Sequence, residues 1–412
     1  MAKLKDHQLF YAFRLVYLFP VFYVFCLPFQ RPFPKIIIIA WAVYLIFRGN
    51  HQLFLKNLKK YKVVLLSPAI YIINIISAVL SEDTAHAIAK LETKLGLLFI
   101  PIFLLYLPIF SNRFIRDVFR SFVMGILSCL VVCSLLFDWS EFNSSSMLYV
   151  GFSQFMHTSY FALCLDIAIA SLMFYPFRIL PFRTLQTNQI IKIGLIGFLS
   201  LFVFLLSSKA GIIALAFLFL IKALSFIQWK NRNHWVGLVG GIIIVGVISV
   251  NNPRVQSLIT LVDKTLHQEE LKVSESNTLR LAIWPKAYDL FEKAPWIGVG
   301  LGDADQKLID EYKKEPERLG HLINLGLNAH NTFLQEAINA GIFALSLLLS
   351  FLFGVLWNKR FKLLAVAFFL LFFINFLTES MLEKSVGISI FCFFYPLLYL
   401  MQERLEEKQL SQ

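Results

Sequence analysis

Charge is scarce in this chain: Asp, Glu, Lys and Arg make up 16% of its 412 residues, while hydrophobic residues make up 58%. A water-soluble body is excluded, because soluble domains carry roughly a quarter charged residues. Cysteine is scarce too, and all five, Cys26, Cys129, Cys133, Cys164 and Cys392, lie inside apolar runs without metal-ligand spacing or a disulfide framework. They read as small core residues. No internal repeat is visible, which weighs against a transporter or flippase built from two related halves. A nucleotide fingerprint is missing as well: the glycine-rich stretch GVGLG at 298–302 has neither G-x-G-x-x-G spacing nor a preceding strand, and reads as a turn. Acidic residues are outnumbered, giving a formal charge of +12. The bases fall in short clusters between apolar runs, so this charge reads as membrane topology and no nucleic-acid partner is expected. No cleavable leader is expected, because QRPFPK, not a small-residue site, follows the first run.

What the chain has in abundance is apolar runs long enough to cross a hydrocarbon core of roughly 30 Å. They fall near 10–29, 33–48, 63–80, 96–111, 121–138, 158–175, 190–206, 211–228, 235–250, 334–357, 363–378 and 387–401. The second is short, but bases on both sides of it (Lys3 and Lys5; Arg48, Lys56, Lys59, Lys60 and Lys62) require it to cross if both segments are cytoplasmic. Every second later loop is again basic, through Arg113, Arg116 and Arg120, Arg178, Arg183 and Lys192, Lys230 and Arg232, Lys359, Arg360 and Lys362, to Arg404 and Lys408. The expectation is an all-α polytopic membrane protein of about 12 transmembrane helices. Residues 1–250 hold nine spans, 251–331 form one large outer loop, and 332–412 hold three spans and a cytoplasmic tail. Within the loop, LRLAIWPKAYDLFEKAPW looks helical, with Pro285 limiting its upstream extent, and DADQKLIDEYKKEPERLG reads as a solvated helix ending near Gly320.

The candidate functional residues lie at the outer boundary, where an ionisable group is a functional hypothesis by default. Histidine is the side-chain type that can exchange a proton near neutral pH, which draws attention to His330, and Asn331 can cap or orient the helix that follows, although a histidine at a helix start is also an ordinary hydrogen-bonding residue. Arg280 beside Trp284 suits a diphosphate, or else lies on the surface of a loop helix. Lys209, in SSKAG, is either a fixed cation for a phosphate or a lysine snorkelling to headgroups. His157, with Tyr160 one turn on, lines the same site or merely starts a helix. Asp303 and Asp305 form a literal DxD, which suits a divalent metal but arises more often where the helix dipole favours acidic starts.

Three stretches, SSKAGIIAL, LRLAIWPKAYDLFEKAPWIGVGLGD and AHNTFLQEAINAGIFAL, stand in the order and topology of the O-antigen ligase and polymerase superfamily, which the chain resembles along nearly its whole length. The most specific pieces are Arg280 and Trp284 with three residues between them, the P-x-x-G-x-G-x-G run from Pro295, and the HN-x-x-L helix start at His330; HTSYFAL at 157–163 is a looser match. The resemblance implies a GT-C-like, inverting glycosyltransferase that needs no metal and no cofactor. It implies a glycan donor on undecaprenyl diphosphate, an acceptor hydroxyl on lipid A-core, another glycan or protein, and membrane lipids around a site facing the periplasm of the inner membrane. It assigns His330, Arg280 and Lys209 to catalysis, and Asn331, Trp284, His157 and Tyr160 to substrate binding. Lys209 stands where many members have arginine, so it keeps the charge and loses the bidentate fork. Lipid A-core ligation, repeat-unit polymerisation and protein O-glycosylation share these motifs.

Overall fold

The computed structural model describes residues 16–402 apart from 31, 108–111, 143–147, 150, 182, 227–249, 251–254, 257–258, 261–275, 317–318, 320–321, 324–325 and 358–360. Every regular element among them is helical. The ninth predicted run lies outside the described residues except for Val250. Each other run carries a helix: α1 (Val16–Phe29), α2 (Phe33–Arg48), α4 (Leu66–Val79), α5 (Thr84–Leu105), α6 (Asn112–Leu136), α7 (Thr158–Phe174), α8 (Leu185–Leu205), α9 (Lys209–Phe226), α12 (Thr332–Gly354), α13 (Lys362–Thr378) and α14 (Ser385–Gln402). By length and composition, 5 helices among the described residues suffice to cross a membrane, or 6 if α2 and the helix after it form one broken span. That next helix, α3 (His51–Lys60), leaves α2 at 110°. Its half-buried Leu53, Phe54 and Leu58 oppose the exposed Lys56 and Lys59, the pattern of a helix lying in an interface.

Lipid, not water, suits the outside of this bundle: Phe47, Val79, Leu135 and Ile193 are all more than two-thirds exposed. The centre is α7, every residue of which from Thr158 to Leu172 is buried, with α6, α8, α9, α13 and α14 against it. All five cysteines are buried and free.

The two ends of the bundle differ in chemistry. At one, basic side chains cap backbone carbonyls: Arg120 donates to the Arg178 carbonyl, Lys192 to Tyr175 and Lys222 to Met173. At the other, the connections after α4, before α7 and after α13 meet the segment that precedes α12. Here α10 (Ser276–Lys293) and α11 (Ala304–Tyr312) build a core of their own from Ala282, Ile283, Ala287, Leu290, Leu308 and Tyr312, closed by Ala329 and Ile338. Two expectations change. Helix α10 continues nine residues upstream of Pro285, carrying Arg280 and Trp284 on one element, because proline forfeits one hydrogen bond while packing against α11 and α12 holds the rest. Helix α11 stops at Tyr312 and is half-buried, since Ala304, Leu308 and Tyr312 face this core.

The glycine-rich turn has a packing role. It lies against a break inside α12, where Ala340 and Gly341 leave helical geometry. Val299 N–H donates to the Ile338 carbonyl (2.8 Å) and Ile342 N–H to the Pro295 carbonyl (2.8 Å), satisfying groups that the break frees. Gly298 and Gly341 both take φ of +73°, and a Cβ on Gly341 would lie 2.2 Å from the Trp296 carbonyl oxygen. Only glycine fits such an approach.

Candidate active site at the start of helix α12

Asn331 starts α12: its Oδ1 accepts from the N–H groups of Phe333 (2.9 Å) and Leu334 (3.1 Å), and the residue is buried. Its side-chain oxygen is thus used in capping. Just ahead, His330 holds a left-handed backbone at φ 44°, uncommon for a residue with a side chain, with its N–H donating to Asn328 Oδ1 (3.0 Å). This conformation turns the imidazole, 31% exposed, toward Glu379, with Nδ1 3.5 Å from Oε2.

Glu379 follows α13 and is the convergence point. Arg280 reaches across from α10, its Nε and Nη2 both donating to the Thr378 carbonyl at the end of α13 (3.0 and 2.7 Å), and Nη2 lies 3.7 Å from Glu379 Oε1. From α7, Ser159 Oγ donates to the same oxygen at 3.3 Å. The turn is stitched to α12 by Thr332, whose Oγ1 donates to the Glu379 carbonyl (2.7 Å) and accepts from Met381 N–H (3.0 Å), and by Asn331 N–H donating to Ser380 Oγ (3.3 Å). Burial by itself pushes the Glu379 carboxyl up, but the hydrogen bond and charge of His330, with the fields of Arg280 and His157, bring it below the ordinary glutamate value. Burial pulls the Arg280 guanidinium down, opposed by Glu379 and Tyr149.

The other predicted residues are placed as follows. His157 caps α7, its Nδ1 accepting from Ser159 N–H (3.3 Å), and is exposed close enough to act on Glu379. Tyr160 is buried in the main core. Trp284 lies one turn after Arg280 but packs into the core of α10 and α11, and its buried indole N–H has no acceptor among the described residues. Lys209 is the first residue of α9, half-buried, in a turn that meets α7: a Cβ on Gly211 would lie 2.7 Å from Ala162 Cβ.

Sequence reasoning missed the charges beneath this site. Helix α5 begins at Thr84, well before the predicted run at 96, and carries Lys90 and Lys94 into the interior. Lys94 pairs with Glu336 of α12 and, at 2.9 Å, with Glu383; Lys90 pairs with Glu383 (3.2 Å) and Asp305 (2.8 Å). Asn74 donates to Glu336 (3.1 Å) and Asn339 to Glu383 (2.8 Å). Signals existed: two lysines at i, i+4 just ahead of an apolar run, and two glutamates in TESMLEKS between the last two runs.

The DxD carboxylates are already engaged, and with different partners. Asp303 accepts from the N–H groups of Glu82 (3.0 Å) and Asp83 (2.9 Å) at the start of α5, whereas Asp305 bridges Lys90 and accepts from Gln335 (3.1 Å). Burial raises the Asp303 carboxyl, yet those two backbone bonds and Lys307 leave it below its ordinary value. A depressed carboxyl contributes stability that is present above the unfolded value of about 3.9 and is lost as pH falls through the lower folded value. Asp303→Ala should lower the thermal midpoint measurably at neutral pH, with no rescue by added divalent metal. Recovery on adding metal would revive a metal site.

Residues 194–349 match the family model described as O-antigen ligase. Over that stretch the chain is similar to O-antigen ligases. That stretch spans Lys209, Arg280, Trp284, His330 and Asn331, while His157, Ser159, Glu379 and Glu383 come from outside it and complete the site. No curated protein matches the chain.

Proposed function

We propose that the chain is an inverting, metal-independent glycosyltransferase that moves O-antigen or a related polysaccharide from undecaprenyl diphosphate to lipid A-core. The observation that carries this reading is the meeting of His330, Arg280 and Glu379 at the mouth of α12, within and beside the stretch similar to O-antigen ligases. In the full topology about twelve helices cross the inner membrane and 251–331 lie in the periplasm. The gathering of the other outward connections around that segment, and of bases at the opposite end, supports it.

The chemistry follows from the groups present. His330 takes the proton of the acceptor hydroxyl as its oxygen attacks the anomeric carbon. The bond to the diphosphate oxygen breaks, and Arg280, aided by Lys209, stabilises the charge that develops on undecaprenyl diphosphate. A lipid-linked donor explains a body immersed in lipid, since its tail stays in the membrane while the diphosphate sits at the boundary. His157 lines the approach from α7, Tyr160 packs in the core behind it, and Trp284 braces the helix that presents Arg280.

The deciding assay gives purified protein an undecaprenyl-diphosphate-linked glycan and lipid A-core in the presence of EDTA. Glycan on lipid A-core is the expected result. Release of undecaprenyl diphosphate with glycan elsewhere redirects the assignment to repeat-unit polymerisation or a protein acceptor, and no release counts against transfer. Arg280→Ala should lower kcat/KM for the donor by roughly ten- to a hundredfold, the worth of a charge-assisted hydrogen bond, with insertion retained; unchanged turnover would return Arg280 to a surface role.

A further inference from the structure

Glu379 lies outside the stretch matched to the family. Yet it is the one carboxylate in contact with both His330 and Arg280 among the described residues. Its side chain is 16% exposed, and it is approached from three other helices or their starts: α12 through His330, α10 through Arg280 and α7 through Ser159. Its backbone is pinned separately by Thr332, so the carboxylate is free to serve the imidazole rather than hold the turn.

We propose that Glu379 is a positioning residue for glycan transfer. Accepting from His330 Nδ1–H fixes the tautomer in which Nε2 is unprotonated and free to take the acceptor hydroxyl's proton. The proton passes to Nε2, the new C–O bond forms at the anomeric carbon, and the electron pair of the broken bond leaves on undecaprenyl diphosphate. The same carboxylate restrains the Arg280 guanidinium beside the histidine, so base and cation stay at the spacing one reaction centre needs. Ser159, at 3.3 Å, sets which carboxylate oxygen faces the arginine. The inference rests on the glycosyltransferase reading above.

Glu379→Gln tests it directly. Glutamine has nearly the same shape, but its amide can donate to Nδ1, which favours the tautomer with the proton on Nε2 and removes the base. With EDTA present and donor concentration varied, kcat is expected to fall roughly a hundredfold, the scale of a general-base contribution. KM for the donor should stay level or fall, because a negative charge beside Arg280 has gone. Glu379→Asp should recover at least about a tenth of wild-type kcat, as it keeps the acceptor at a longer reach. A merely structural role would lower the amount of folded protein without splitting kcat from KM. A folded Glu379→Gln variant with kcat within about threefold of wild type overturns the inference. If that variant does not fold, Ser159→Ala carries the test: the inference expects kcat roughly tenfold lower, the scale of one hydrogen bond to a charged group, at unchanged KM, and an unchanged kcat overturns it. Wild-type protein that releases no undecaprenyl diphosphate fails the glycosyltransferase reading itself, a result distinct from an active wild type matched by an equally active variant.

Discussion

His330→Ala is expected to lower glycan transfer by roughly two to four orders of magnitude, the range that a positioned general base supplies, while the protein stays inserted and folded. The fold has little stake in the imidazole. α12 is capped by Asn331 and not by His330, and the backbone of residue 330 is held through its N–H to Asn328. What the fold does demand is a left-handed backbone there, φ 44°, which costs an ordinary L-residue about 1–2 kcal/mol and asparagine less. His330→Asn is therefore the sharper variant. It should lose transfer as completely as alanine while melting closer to wild type, both read on one preparation by product formation and by thermal unfolding. Near-normal transfer by His330→Asn would remove His330 from the role of base.

The largest effect on stability is expected at Lys94. Its ammonium lies fully buried between Glu336 and Glu383, so Lys94→Met leaves the buried Glu336 carboxylate without a counter-charge, while Glu383 keeps only Lys90. Removing one partner of a buried pair costs about 3–5 kcal/mol because the survivor keeps its desolvation penalty and loses its counter-charge. A drop in thermal midpoint of roughly 3–6 °C follows for a chain of this size. Lys94→Met combined with Glu336→Met should be less damaging than Lys94→Met alone, since one orphaned carboxylate goes and Lys90 still faces Glu383 at 3.2 Å. A Lys94→Met protein that melts like wild type, or a double variant whose losses simply add, would contradict the account of the network as a mutually dependent set. The geometry also ties this network to the site. The turn that carries Glu379 at one end carries Glu383 at the other, so slackness at Lys94 should be felt at His330.

Much of the helical layout was legible because apolar runs in lipid leave the backbone little choice but a helix. The run ends near Arg48, Leu205 and Thr378 agree with the observed helices to within a few residues, and the glycine-rich stretch is a turn, as its spacing implied. Boundaries failed where a charge was read as an exit from the membrane. Helix α5 starts twelve residues before its apolar run because Lys90 and Lys94 find carboxylates inside the protein, and no local pattern shows a partner about 240 residues away. α11 was read as solvated since its sequence is rich in charge, yet its apolar side meets α10 in a core that only tertiary contact creates. The site divides the same way. His330, Arg280 and Asn331 were visible as a titratable group, a fork and a cap in a motif whose order along the chain could be read. The role of Trp284 as core, the use of both DxD carboxylates in structural bonds, and the joining of His330 to Arg280 through Glu379 were not visible. Composition and periodicity by themselves determined an all-helical body dissolved in lipid, for burial of apolar surface acts through nearest residues and their spacing. Only the tertiary structure decided which charges are paired and which carboxylate faces the histidine, because electrostatic partners are chosen by distance in space and carry no periodic mark in the chain.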